Sequence, residues 1–314
     1  MSSDPALAPL LNRLRKNARH LGRWARREGL EAWRVYDRDM PEFPYAVDRY
    51  GAWLHVQLFE GKRPFDDADI ERHRQAIATA LEVEPARCVL KLRRRQRGSS
   101  QYEKLDATGE PFVVTERGLR FEVNLAAYLD TGLFLDHRET RAMVRAEAAG
   151  KRLLNLFAYT GSFTVYAAAG GAASTLTVDM SQTYQDWTWR NLVLNGLDDR
   201  ARHRLLRADV TAWLEGARNE ATRYDLVVLD PPSFSNSKRM RGSFDVQRDQ
   251  VELVSAAAGL LAPGGRLYFS NNRQGFRLDE SLQRRWRCEE ITAQTVPEDF
   301  RRRTPHRCWR ITRP

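Results

Sequence analysis

Apolar residues recur at helical spacing near the start of the chain. Leu10, Leu11, Leu14, Leu21 and Trp24 fall on one face of residues 10–29, and Gly29 stands where a helix C-terminus favours glycine. The opposite face carries Arg13, Arg15, Lys16, Arg19, Arg23, Arg26 and Arg27, which suits either plain solvation or contact with phosphate. From Pro44 the period changes to two. YAVDRYGAWLHVQLFE predicts two strands broken at Asp48–Gly51, and DDADIERHRQAIATALEV predicts a helix opened by aspartate. ARCVLKLRRRQRG reads as a strand running into a basic turn, and PFVVTERGLRFEVNL as a hairpin around Arg117–Gly118. Strands around one helix make a small α+β domain, residues 1–124.

A second regime fills residues 125–314. After the helix RETRAMVRAEAA come the strands RLLNLFA, STLTVD, HRLLRAD, YDLVVLD, GRLYFS, CEEITAQT and RCWRITR. Between them lie SFTVYAAAG, SQTYQDWTWRNLVLNG, VTAWLEGAR and FDVQRDQVELVSAAAGLLAPGG. Apolar strands alternating with amphipathic helices predict a parallel sheet covered on both faces, an open seven-stranded α/β architecture of the Rossmann-like kind.

Composition narrows the class. With 314 residues, 42% hydrophobic and 29% charged, the chain can build real cores. A mean hydropathy of −0.59 and the lack of a long apolar run argue against a membrane span, and MSSDPALAP does not read as a secretion signal. Cys88, Cys288 and Cys308 form neither a disulfide framework nor a zinc pattern, so no metal is expected. These features predict a cytoplasmic protein. The net charge of +10 is carried almost wholly by arginine, 45 residues against 6 lysines. Guanidinium grips phosphate in a bidentate fork and stacks on bases, so arginine makes nucleic acid a candidate partner. Two local clusters sharpen this expectation: Arg93, Arg94, Arg95 and Arg97 at a strand end, and Lys238, Arg239 and Arg241 in the loop SFSNSKRMRG, residues 233–242, which reads as a lid over RNA.

In an open α/β sheet, ligands bind beyond the carboxyl ends of the strands. The first strand of the second domain ends in Asn155-Leu-Phe157-Ala-Tyr159-Thr-Gly161-Ser162, which is neither a dinucleotide fingerprint nor a triphosphate loop. Asp179 ends the second strand, at a spacing that suits a carboxylate accepting from ribose hydroxyls, and Asp209 ends the third. Each could equally cap a helix. The fourth strand ends in Asp230-Pro231-Pro232-Ser233-Phe234. Its prolines stop the ladder abruptly, and Phe234 offers a flat face for stacking on a base.

Together NLFAYTGSF, LDPPSFSNSKRM, FDVQRD, LAPGGRLYFSNN and TGLFLDHR resemble class I S-adenosylmethionine-dependent RNA methyltransferases, most nearly the K half of the bifunctional large-subunit rRNA guanine methyltransferases K/L. The resemblance covers nearly the whole chain. It implies a Rossmann-like methyltransferase domain behind a small RNA-binding one, with S-adenosylmethionine as cofactor. It also implies N7 methylation of a guanine in 23S rRNA, free or in a pre-50S particle, during ribosome assembly. Carried over, the residues from Asn155 through Phe157, Tyr159 and Gly161 to Ser162 would wrap the methionine moiety. Asp179 would hold the ribose, Met180 would pack on the adenine, and Asp209 would take its amino group. Asp136 and Arg138 would close over the cofactor, and Asp230, Pro231 and Phe234 would meet the target base. The bifunctional enzymes carry a second methyltransferase, so N2-guanine activity would need a separate protein here.

The acceptor atom decides what else is needed. Attack through a pyrimidine C5 needs a cysteine thiolate, and the segment Tyr268-Phe-Ser-Asn271-Asn272 after the fifth strand offers none. Guanine N7 is a bare lone pair that needs no general base. Methylation leaves a cationic ring, which a carboxylate such as Asp230 favours. An exocyclic amine, guanine N2 or adenine N6, is the alternative acceptor, although Ser233 displaces the aromatic residue by one place from the usual motif for amines. A non-catalytic RNA-binding assembly factor is the third reading.

Overall fold

The computed structural model describes residues 5–60, 65–93, 109–218, 221–235 and 243–314. Two units divide it: Met1–Thr131 with Glu298–Arg303, and Gly132–Pro297 with Thr304–Pro314. The sequence-based boundary at 124/125 ran straight through the chain and did not anticipate residues 298–303, which pack with the first unit. Asp299 accepts from the Arg34 backbone N–H at 2.9 Å, and the Arg34 guanidinium lies 4.4 Å over the Phe300 ring.

The first unit opens with α1 (Ala8–Arg27), which buries Leu10, Leu11 and Leu14. Gly29 adopts φ +65°, so the Leu30 N–H reaches the Ala25 carbonyl at 2.9 Å and the Gly29 N–H reaches Arg26 at 3.3 Å. These two bonds satisfy carbonyls that a helix end otherwise leaves without partners. Next come β1 (Ala32–Asp37), β2 (Tyr45–Tyr50), β3 (Trp53–Phe59), α2 (Asp67–Ala80) and β4 (Cys88–Arg93). They form one sheet in the order β1-β2-β3-β4, antiparallel except that α2 returns the chain for β4 to pair parallel to β3. The first strand was missed from the sequence because it is buried along nearly its whole length and shows no alternation. The hairpin of β5 (Phe112–Glu116) and β6 (Leu119–Val123) turns at Arg117 and Gly118, both at positive φ.

The second unit contains α3 (Arg138–Glu147), β7 (Arg152–Leu156), α4 (Ser162–Ala169), β8 (Ser174–Asp179), α5 (Gln182–Leu194), β9 (His203–Arg207), α6 (Val210–Ala217) and β10 (Tyr224–Leu229). After the short pair β11 (Phe234–Ser235) and β12 (Phe244–Asp245) follow α7 (Val246–Gly259), β13 (Leu261–Asn271), α8 (Glu280–Arg285), β14 (Arg287–Glu290), α9 (Thr292–Thr295) and β15 (Arg307–Thr312). Seven strands make one sheet in the order β14-β15-β13-β10-β7-β8-β9. The five from β13 to β9 run parallel, and β15 is antiparallel to both its neighbours. The chain therefore builds outward from β7 in both directions, which opens a crevice at the carboxyl ends of β7 and β10. One strand differs from expectation. CEEITAQT stops at Glu290, because the Thr292 hydroxyl accepts from the Cys308 N–H at 3.0 Å and residues 292–295 coil into α9.

Candidate active site

The β7–α4 turn has an unusual backbone. Phe157, Tyr159 and Gly161 all take positive φ, at 55°, 52° and 71°. Left-handed backbone at two non-glycine residues costs energy and persists only where neighbours over-determine it. Here α5 does so: Thr188 Oγ1 donates to the Tyr159 carbonyl at 3.3 Å, and the Asn191 amide donates to Thr160 O at 3.0 Å. Helix α5 comes so close that a Cβ on Gly161 would lie 2.3 Å from Thr188 Cγ2. Gly161 is thus required twice, by its φ and by the packing. The Tyr159 hydroxyl accepts from the Gly132 N–H at 2.9 Å, and its ring meets Phe134 and Tyr184.

Asp179 joins the turn to the end of β8. Its Oδ2 accepts from the Tyr159 N–H at 2.9 Å and its Oδ1 from the Ser181 N–H at 2.9 Å. Burial pushes its pKa up to about 6 against the pull of those two bonds. One N–H on each oxygen leaves carboxylate lone pairs for a vicinal diol. Met180 follows, half-buried. Asp209 caps α6: its Oδ1 accepts from the Thr211 N–H and hydroxyl, at 2.9 and 2.6 Å. The Asn155 amide donates to Thr164 Oγ1 at 3.0 Å and ties β7 to α4, a structural engagement that the sequence did not suggest. Ser162 is the first residue of α4.

Asp230 ends β10. The Ser270 hydroxyl, from β13, donates to its Oδ1 at 2.7 Å, and His137 Nε2 lies 3.4 Å from its Oδ2. Burial, with Asp136 nearby, raises its pKa to about 6 although Ser270 pulls it down. Pro231 is buried and Phe234 is 46% exposed, opposite Asp245 in the antiparallel pair of β11 and β12. Residues 236–242, and with them Lys238, Arg239 and Arg241, lie outside the described residues. So do Arg94, Arg95 and Arg97.

Arg93, expected at a phosphate, is described, and its guanidinium is engaged within the first unit. Its Nε donates to Gln57 at 2.7 Å and its Nη2 to Asp130 at 2.8 Å. Lys91, beside it in the same strand, is buried against the Tyr128 carbonyl, and burial lowers its pKa to about 8. The inward-facing positions of β4 therefore use their cations to hold the first unit together.

Two residues of the site escaped sequence reading. His137 sits between Asp136 and Arg138 in the LDHR segment, and His306 lies near the C-terminus. His306 Nδ1 lies 3.0 Å from Asp136 Oδ2 and its Nε2 lies 3.1 Å from Thr295 Oγ1. The two imidazoles stack at 4.2 Å, tilted by 15°. Asp136, His137 and His306 thus place potential metal-ligating atoms within 4.8 Å of one another, but both His306 nitrogens are already hydrogen-bonded. Arg138 is fully buried at the start of α3. Position along the chain hid this group, since β15 returns His306 next to residues 136–137 only in the folded sheet.

The cysteine nearest Asp230 offers no ready thiolate. Cys308 is the cross-strand partner of Ser270, yet it is fully buried and burial pushes its thiol well above the ordinary range. A buried, protonated thiol is inert as a nucleophile. What remains is a carboxylate at the end of β10, a second, ribose-competent carboxylate at the end of β8, and the rigid turn after β7 between those strands. That donor set fits a nucleoside cofactor and an in-line transfer in which alignment, more than acid–base work, lowers the barrier.

Comparison with known proteins agrees with that chemistry. Residues 34–291 match the model of the S-adenosylmethionine-dependent methyltransferase family. Ribosomal RNA large subunit methyltransferase K of Neisseria meningitidis is 52% identical over 309 residues, covering 97% of this chain and 87% of that protein. Ribosomal RNA large subunit methyltransferase K/L of Pseudomonas paraeruginosa is 54% identical over 306 residues. The chain spans 42% of that longer relative. Among solved structures, SMU.776, a putative methyltransferase complexed with SAH, superposes with a TM-score of 0.76 at 24% identity, covering 99% of this chain and 83% of that one. The seven-stranded sheet, the two strand-end carboxylates and these relatives lead to one conclusion: the chain belongs to the S-adenosylmethionine-dependent methyltransferase family.

Proposed function

We propose that this enzyme methylates N7 of a guanine in 23S rRNA, free or within a pre-50S particle, in the cytoplasm during large-subunit assembly. The observation that carries the reading is Asp230: an acceptor carboxylate at the end of β10, held by Ser270, with the nearby thiol of Cys308 buried and protonated. The names of the relatives supply the RNA class.

In this reading the turn from Asn155 to Ser162 surrounds the methionine portion of the cofactor. Asp179 takes the ribose hydroxyls, Met180 packs on the adenine, and Asp209 uses its remaining oxygen for the adenine amine. Asp136 and Arg138 complete the wall. The bound cofactor supplies an electrophilic methyl group on a sulfonium with a good leaving group. Asp230 and Pro231 orient the guanine, Phe234 stacks on it, and the Asp230 carboxylate stabilises positive charge developing on the purine ring. The loop containing Lys238, Arg239 and Arg241 and the basic residues after Arg93 contact phosphates. N7 of a paired guanine lies in the deep, narrow major groove of A-form RNA, so the base must be unpaired or flipped out.

The test treats unmodified large-subunit rRNA with enzyme and methyl-labelled cofactor, followed by nucleoside mass spectrometry. 7-Methylguanosine is expected. N2-methylguanosine or N6-methyladenosine would move the acceptor to an exocyclic amine, and no product on any RNA would leave an assembly factor. Asp230→Ala should abolish turnover while isothermal titration still shows cofactor binding. Loss of binding instead would move Asp230 into the cofactor site.

A further inference from the structure

His137 has no place in the reading above, yet it is almost wholly buried beside the strand end that matters most. The groups facing it come from several elements. Asp136 precedes it, its Oδ2 3.9 Å from Nε2, and Arg141 of α3 adds a positive charge. Phe163 of α4 meets its ring edge at 5.8 Å, His306 just before β15 stacks on its face, and Asp230 follows β10. Its Nδ1 is buried with no hydrogen-bond partner among the described residues. A proton on Nδ1 would be a buried donor without an acceptor, a costly arrangement. The proton therefore sits on Nε2, between two carboxylates.

The geometry points to His137 as a positioning residue for methyl transfer: its Nε2–H holds Asp230 Oδ2, opposite the Ser270 hydroxyl on Oδ1, so that the carboxylate presents one fixed orientation to the target base. His306 serves the same arrangement at one remove. It is fixed at Nδ1 by Asp136 and at Nε2 by Thr295, so its ring is a rigid plate against which His137 stacks. Burial lowers the pKa of both imidazoles, so through the neutral range His137 acts as a neutral donor that orients Asp230 without adding a cation beside a reaction that creates one. At 3.4 Å the pair is in contact without hydrogen-bond geometry in the free chain, and the proposal requires that contact to tighten into a hydrogen bond when substrate is bound.

This inference rests on Asp230 being the base-facing carboxylate, and the experiment separates the two. The Asp230 carboxyl carbon is titrated by NMR in the full chain for wild type, H137F and H137Q, without RNA. Turnover against pH is then measured with unmodified rRNA. H137F keeps a stacked ring and loses the donor. It should move the Asp230 midpoint and the acid limb of kcat together to higher pH and lower kcat by about 10- to 100-fold, with little change in the KM for cofactor. H137Q keeps an N–H and should recover part of both, and it carries the test if H137F melts early. An unmoved midpoint in H137F overturns the proposal. So does a fall in kcat with no shift of the limb and no recovery in H137Q, which would mark a purely structural role. Activity removed by a chelator and restored by zinc would also overturn it, by assigning the cluster to a cation. A shifted midpoint in an enzyme that transfers nothing to rRNA would keep the positioning role and refute the function.

Discussion

Asp179 and Asp230 show at single-residue scale how burying a carboxylate opposes stability. Burial raises both carboxyls from an ordinary value of 3.8 to about 6, so the folded chain binds their protons more tightly than the unfolded chain does. For each group the cost to folding grows as pH rises from the unfolded value to about 6 and is constant above it. Asp230→Asn should therefore raise stability at pH 7.5 by about 1–3 kcal/mol, less the weakened Ser270 and His137 contacts, and the gain should fade near pH 4. Paired thermal melts at the two pH values check this, and equal melting temperatures at pH 7.5 would refute it. The same direction gives the wild-type rate profile: turnover should fall below about pH 6 as Asp230 takes a proton. Gly161 is the steric counterpart. Gly161→Ala places a methyl against Thr188 at a left-handed φ, so a loss of about 3 kcal/mol is expected in urea melts, together with weaker cofactor binding.

Among the elements, α1 carries the clearest unassigned chemistry. Its buried side is Leu10, Leu11, Leu14 and Ala25, while Arg15, Lys16, Arg19, Arg23, Arg26 and Arg27 are exposed, and its twenty residues include no acid. A helix of that length is about 30 Å long and could follow several phosphates. RNA affinity should fall by orders of magnitude between about 50 and 200 mM salt. Arg19→Ala with Arg23→Ala should then lower the slope of log affinity against log salt by about 2, one per phosphate contact, and leave cofactor binding unchanged. A slope equal to wild type would leave α1 with a solvated face only. Strand β4 shows the opposite case. Its Lys91 and Arg93 belong to the densest basic stretch of the sequence, yet the first is buried and the second is bound to Gln57 and Asp130. A charge run does not say which of its members face inward.

Over the whole molecule, the charge of +10 divides into 23 basic against 19 acidic residues up to position 124 and 28 against 22 beyond it, so no single tail makes it. Much of what lies within the described residues is paired internally, as Arg34 is with Asp48 and Arg307 with Glu290. Total charge is thus a poor guide, and the exposed side of one helix is a better one. Among the described residues no helix is long and apolar enough to cross a membrane.

The sequence by itself determined the alternation of strands and helices, the α1 C-terminus at Gly29, and the acidic strand ends at Asp179, Asp209 and Asp230. All of these are local: a periodicity, a φ that glycine tolerates, a carboxylate where a strand must stop. It did not show β1, whose uniform burial erases the period, or the return of residues 298–303 to the first unit. Nor did it show that β15 sets His306 against His137 beneath Asp230. The span from 136 to 230 to 306 contains no spacing rule, because those contacts arise only when β10 and β15 take places on either side of β13 in one sheet. Which carboxylates lie buried enough to shift their protonation, and which arginines turn inward, follow from the same packing. Tertiary structure decided them because burial and proximity are properties of the assembled sheet, not of any segment of the chain.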